Sequence, residues 1–186
     1  MALTPDTVAD AAMRILADFG LGDLTMRRLA RDLGVQPSAL YWHVADKQSL
    51  FVLLAERMAH EADAALAGSS SDGGAVESLM TYRRVLLAYR ESADIVLLAY
   101  AHSGPSVLPH SLRRIDEGLR DVVTPFVLGS IAIQQTRSLF AESGPAPKTE
   151  ATPEAERTPL SAQTEGGPGA DAEASFRTGL ARLLTQ

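Results

Sequence analysis

Apolar residues recur at helical spacing along most of the chain and nowhere alternate with period two over a useful length, so the pattern predicts helices and no sheet. The first helix falls on residues 4–19: Thr4 suits an N-cap, Pro5 the first helical position and Asp6 the positive end of the dipole. Val8, Ala12, Ile15, Leu16 and Phe19 form one apolar face, and Gly20 and Gly22 stop the helix. Thr25 then caps a short helix over 26–33 with Leu29, Ala30 and Leu33 inward, and Gly34 suits the left-handed residue that ends it. A second short helix covers 37–43, with Pro37 in its first turn. Asp46 is a natural N-cap for a long helix running to Ala67, with Leu50, Leu53, Leu54, Arg57 and Met58 along its stripe.

Residues 68–74, GSSSDGG, read as a flexible link. A helical pattern occupies 75–101, breaks at Ser103-Gly104-Pro105, and resumes over 107–122. The very apolar stretch 122–141 follows, then 144–170, rich in Pro, Gly, Glu, Thr and Ala and read as disordered. A last amphipathic helix spans 171–185, with Phe176, Leu180, Leu183 and Leu184 on one side. The fold class predicted is all-α: a helical head over 1–47, a connecting helix over 48–67 and a larger helical body over 75–186.

Composition narrows the classes open to such a chain. Its 186 residues, 46% hydrophobic, suffice for one ordinary domain or a small one fused to a larger. With no cysteine, disulfides and thiolate metal sites are excluded. No run of 18 apolar residues exists and the N-terminus has no signal-peptide pattern, so a cytoplasmic protein with no membrane partner is expected. No Ser/His/Asp set, GxGxxG, Walker lysine or HExxH can be argued, and His60-Glu61 stands alone, so neither catalysis nor a cofactor or metal is expected.

The net charge of −6 argues against a general nucleic-acid coat. It leaves room for a local reader: residues 25–47 carry Arg27, Arg28, Arg31 and Lys47 against Asp32 and Asp46, a net of +2. Two short helices joined by Gly34-Val35 make the spacing of a helix-turn-helix, whose second helix enters the major groove with its N-terminal residues leading. Those residues are Gln36, Pro37, Ser38 and Ala39; Tyr41 and His43 can donate to phosphates, and Lys47 points back to the same backbone. The chain has no asparagine, so among its side-chain amides only glutamine can read an adenine edge bidentately. The residues alone also allow Tyr41 and Trp42 to be core aromatics, Arg27 and Arg28 a solvated face, and the helix pair a protein-contact module.

The segment 24–47 resembles the tetracycline-repressor (TetR) family at Leu24-Thr25, Arg27, Leu29-Ala30, Leu33-Gly34-Val35, Leu40-Tyr41-Trp42-His43-Val44 and Lys47. The run LYWHV with a lysine three residues on points to the subgroup nearest the tetracycline repressor. The resemblance implies that Arg27 reads a guanine, Gln36 to Ala39 read bases, Thr25, Tyr41, His43 and Lys47 hold phosphates, and Trp42 packs at the protein–DNA boundary; Arg28 is also expected among the DNA-binding residues. FVLGSIAIQQ at 126–135 resembles the family's long dimer helix, and Phe176, Gly179 and Leu180 its final helix. A homodimer is implied, with Phe126, Gly129, Ile133, Phe176, Leu180 and Leu183 at its interface and a pseudo-palindromic DNA operator as target.

The same resemblance implies an inducer pocket in the body, with His60, Tyr82, Leu86, Val96, Leu97, Tyr100, His102, Phe126 and Ile131 as expected lining. Where tetracycline repressors grip a drug–magnesium chelate with His, Asn and His, this chain has Asp63, Ser78 and Val96, so a largely apolar ligand that needs no magnesium is expected. The stretch between Arg120 and Phe126 is shorter than the family's usual connection, through either a trimmed loop or missing residues. The implied function is a ligand-released repressor in which the helix at 46–67 moves like a pendulum; the same architecture also serves an activator.

Overall fold

In the computed structural model the described residues are 3–68, 74–142 and 168–185, and all their regular structure is helical. The head holds α1 (Pro5–Phe19), α2 (Met26–Asp32) and α3 (Pro37–Tyr41). Thr4 and Thr7 make a reciprocal capping box at the start of α1, and Pro5 sits in its first turn. Val8, Ala12, Ile15 and Leu16 are buried as expected, but Phe19 is 52% exposed. Its ring instead lies 3.7 Å beneath the Arg28 guanidinium.

The long α4 (Lys47–Ala67) connects head to body, starting where the Asp46 carboxylate accepts the Ser49 N–H at 2.7 Å. That bond holds the Asp46 carboxyl below its ordinary pKa. α4 buries Leu50, Phe51, Leu54, Ala55, Met58, Ala59 and Ala62, because it packs against α1 of the head and against helices of the body.

The body contains α5 (Ala75–Leu87), α6 (Ser92–Ser103), a 3-10 turn (Gly104–Val107), α7 (His110–Arg113), α8 (Glu117–Glu142) and α9 (Pro168–Leu184). The single helix expected over 75–101 is therefore two. Ser92 Oγ donates to the Leu86 carbonyl at 2.6 Å, and Gln135 Nε2 donates to the Tyr89 carbonyl at 2.7 Å. These side chains take carbonyls that a continuing helix would have used. Glu91 closes the turn in the left-handed region at φ 53.

The helix expected over 107–122 is also replaced. Pro109 holds Leu108 extended (φ −90, ψ 157), so α7 starts late and is brief. Asp116 accepts the N–H groups of Gly118 and Leu119 and starts α8, which runs unbroken through the Arg120–Phe126 stretch, Pro125 included. No loop interrupts the helix there. The final helix begins at Pro168, earlier than expected, and most of the stretch read as disordered (144–167 of 144–170) lies outside the described residues, as do 69–73 of the link. Among the described residues no helix is long and apolar enough to cross a membrane.

Candidate nucleic-acid interface

Leu29, Ala30, Leu40 and Val44 are buried and lock α2 and α3 together over α1 and the start of α4. Gly34, at φ 66, makes the turn between them; a side chain there would meet open space, so the backbone angle alone selects glycine. The Val35 N–H then returns to the Ala30 carbonyl at 3.0 Å.

The opposite face is polar and open. Gln36, Pro37 and Ser38 are exposed at the start of α3, Ala39 is half-buried, and the Gln36 side chain makes no capping bond, so its amide is free to face outward. Tyr41 is 50% exposed, Trp42 89% exposed, and His43 is also on the surface. The reading of Tyr41 and Trp42 as core aromatics is thereby excluded, since an indole left this wet is the mark of an unpartnered interface.

The three arginines of α2 meet different fates. Arg28 is drawn inward, its Nη1 2.9 Å from the Asp23 carboxylate and its guanidinium stacked over Phe19. Arg27 and Arg31 are exposed and make no ion pair among the described residues. Together with Thr25, Val35 and Pro37 they line a concavity of about 450 Å³. Arg31 was not singled out from the sequence, although its place one turn after Arg27 is a legible signal.

The Thr25 hydroxyl oxygen accepts the Arg28 N–H at 3.1 Å, which leaves the hydroxyl proton to donate outward. Lys47 is the first residue of α4, at the positive end of that helix, where a cation is disfavoured. Its ammonium lies 5.4 Å from the Phe51 ring centroid, a weak offset for that position. Its siting there is better suited to an anion outside the protein than to the helix.

The residues expected around a ligand separate in space. Tyr82, Leu86, Val96 and Ile131 join one buried core, with Tyr100 half-buried beside it, whereas His60, Leu97 and His102 face solvent. Phe126 stacks on Phe176 at 5.3 Å between ring centroids. The residues expected at the dimer interface also divide. Phe176 and Leu180 are buried within the single chain, with Phe126 and Leu183 packed against the same core. Gly129 and Ile133 face outward on α8 in a stripe completed by Val122, Pro125 and Phe140, the last 73% exposed.

Known proteins bear on this geometry directly. The model of the bacterial regulatory proteins of the tetR family matches residues 8–54. The chain is 32% identical to the tetracycline repressor protein class D of Escherichia coli over 195 residues, covering 98% of this chain and 88% of that protein. The crystal structure of BioQ from Mycobacterium smegmatis superposes with a TM-score of 0.71 at 28% identity, covering 99% of this chain and 97% of that one. A crystal structure of BioQ with its natural double-stranded DNA operator superposes with a TM-score of 0.59 at 31% identity, covering 76% and 93%. An exposed polar face, the helix-turn-helix pair that carries it and kinship along nearly the whole chain make this protein a DNA-binding transcriptional regulator of the tetR family.

Proposed function

We propose that the chain is a ligand-responsive repressor, a twofold dimer whose two heads hold a pseudo-palindromic operator until a small molecule occupies the body. The observation that carries this reading is the exposed face of Arg27, Gln36, Pro37, Ser38, Tyr41, Trp42 and His43 above a fully packed base of Leu29, Leu40 and Val44. In it Arg27 and Gln36 to Ala39 read base edges, Thr25, Tyr41, His43 and Lys47 hold phosphates, and Trp42 covers the sugar–phosphate boundary. Arg28 supports the head from within through Asp23 and Phe19, and reaches the backbone only at its rim.

The dimer is supported by the α8 stripe of Val122, Pro125, Gly129, Ile133 and Phe140, which the described residues leave exposed. Phe126, Phe176, Leu180 and Leu183 brace α8 and α9 from behind. A twofold axis there sets two heads about 34–36 Å apart, one turn of DNA.

A ligand in the body is supported by two buried hydroxyls, Tyr82 Oη and Thr124 Oγ1, that have no hydrogen-bond partner among the described residues. Unpaired buried hydroxyls are costly, and a largely apolar molecule of drug or polyketide size with a few polar groups would satisfy them. Burial pushes the Tyr82 phenol well above the ordinary tyrosine range, so it stays a neutral donor. Tetracycline–magnesium suits the site poorly. Asp63 uses both carboxylate oxygens on the His110 N–H at 3.0 and 3.1 Å, and Ser78 and Val96 are buried.

The signal passes along α4, which touches both α1 and α6. Arg57 on α4 pairs with Asp6 and Asp10 of α1, and Glu61 accepts the Tyr89 hydroxyl at 2.6 Å. The ligand must favour the DNA-incompetent arrangement, with a coupling of about 1–3 kcal/mol.

Fluorescence anisotropy with the DNA flanking the chain's own gene, at two salt concentrations, tests the core of this reading. Wild type should bind tightly and weaken with salt, and Arg27→Ala should lose about 1–3 kcal/mol of preference for operator over unrelated DNA. Equal binding of both proteins to any DNA would overturn the assignment of the reading face.

A further inference from the structure

A cleft of about 410 Å³ lies where the head meets the body, and neither the DNA face nor the buried hydroxyls of the interior border it. Its walls are Ala17 of α1, Arg90 and Glu91 of the α5–α6 turn, and Gln134, Gln135 and Ser138 of α8. The volume falls within the roughly 300–1,000 Å³ usual for small-molecule sites. Several of its polar groups have no partner among the described residues.

Gln135 is oriented by its own donors: Nε2 reaches the Tyr89 carbonyl at 2.7 Å, Ser92 Oγ at 3.1 Å and the Leu86 carbonyl at 3.4 Å. That leaves Oε1 buried without a donor. Gln134 accepts a bond from Arg83 on its oxygen, and its amide nitrogen donates to no group among the described residues. Among the described residues Arg90, 46% exposed at its side chain, pairs only with the Glu91 carboxylate, 4.0 Å away. That carboxylate oxygen already accepts the Leu21 N–H at 2.6 Å. The cleft therefore offers a guanidinium and an amide N–H for an anion, and a buried acceptor for a donor.

We infer that this cleft is a second small-molecule site, selective for a carboxylic acid that also carries a hydroxyl. The carboxylate pairs with Arg90 and the Gln134 amide, and the hydroxyl donates to Gln135 Oε1. An ammonium group in place of the hydroxyl would stand beside Arg90, and an apolar molecule would leave Gln135 Oε1 unpaired. Because Ala17 belongs to the head and the other walls to the body, an occupant bridges the two. The site stands apart from the inducer reading, since its polar groups come from the α5–α6 turn and the outer end of α8.

Isothermal calorimetry on the DNA-free full chain, with mandelate and salicylate as probes and their methyl esters as neutral controls, tests the inference. At least one acid should bind, its ester should bind at least about tenfold more weakly, and Arg90→Gln should lose about the same factor. Tyr82→Phe should bind the acid as wild type does, which separates this site from the interior. Arg90 is on the surface, so its replacement does not endanger the fold. The inference is overturned if neither acid binds at millimolar concentration, or if binding ignores esterification or Arg90→Gln. Either result leaves the operator-binding test untouched.

Discussion

Three arginines within one turn and a half of α2 show how far residue type alone is from residue role. Arg28 has an internal carboxylate and an aromatic ring as partners, while Arg27 and Arg31 are exposed and make no ion pair among the described residues. Phosphate and base contacts have different signatures, because backbone contacts release counterions and carry no sequence information. Arg31 shares the concavity with Arg27 but sits one turn further from the start of α2. Arg31→Ala should therefore weaken binding to operator and unrelated DNA alike and reduce the slope of log affinity against log salt by about one, with base preference kept. Anisotropy titrations over a salt series would detect this, and a loss of preference instead would make Arg31 a base reader. The spacing of Arg27 and Arg31 is visible in the sequence. The withdrawal of Arg28 is not, because Phe19 lies on the neighbouring helix and Asp23 in the loop between them.

Among the elements, those built from local signals are the ones the sequence predicts well. Thr4, Thr25 and Asp46 each cap the helix they precede, and Gly34 takes the left-handed turn. Gly34→Ala should destabilise the head by about 1–2 kcal/mol purely through its backbone angle, since the space around it is open. Chemical denaturation would show that loss; an unchanged midpoint would mean that the turn relaxes. The boundaries that sequence misplaces are those made by distant groups. The break between α5 and α6 carries neither glycine nor proline and depends on Gln135, some 46 residues from Tyr89 along the chain, and on the Leu21 N–H that holds Glu91. Likewise α8 lies close against α9 because Gly179 leaves room for Phe126, whose ring tip would be 2.9 Å from any added Cβ. A Gly-and-Phe pairing of this kind is readable only once both helices are placed.

At the scale of the whole molecule, the unfinished feature is the outer face of α8. Ile133 is 55% exposed at the middle of an apolar stripe that the described residues leave uncovered. Ile133→Glu should weaken self-association by at least about tenfold, since it would bury an unpaired charge in the proposed interface. Sedimentation velocity would measure it, and operator affinity should fall with it, because one head alone reads only half a site. An unchanged dimer would move the interface off this face. The sequence by itself determined the helical class, the caps, the helix-turn-helix and the polar start of α3, because each depends on neighbours within a few positions. Tertiary structure alone decided the α5–α6 break, the inward turn of Arg28, the division of the α8 and α9 apolar residues between chain interior and outer stripe, and the cleft at Arg90. These depend on groups brought together from far along the chain, and side-chain periodicity holds no record of which distant partner arrives.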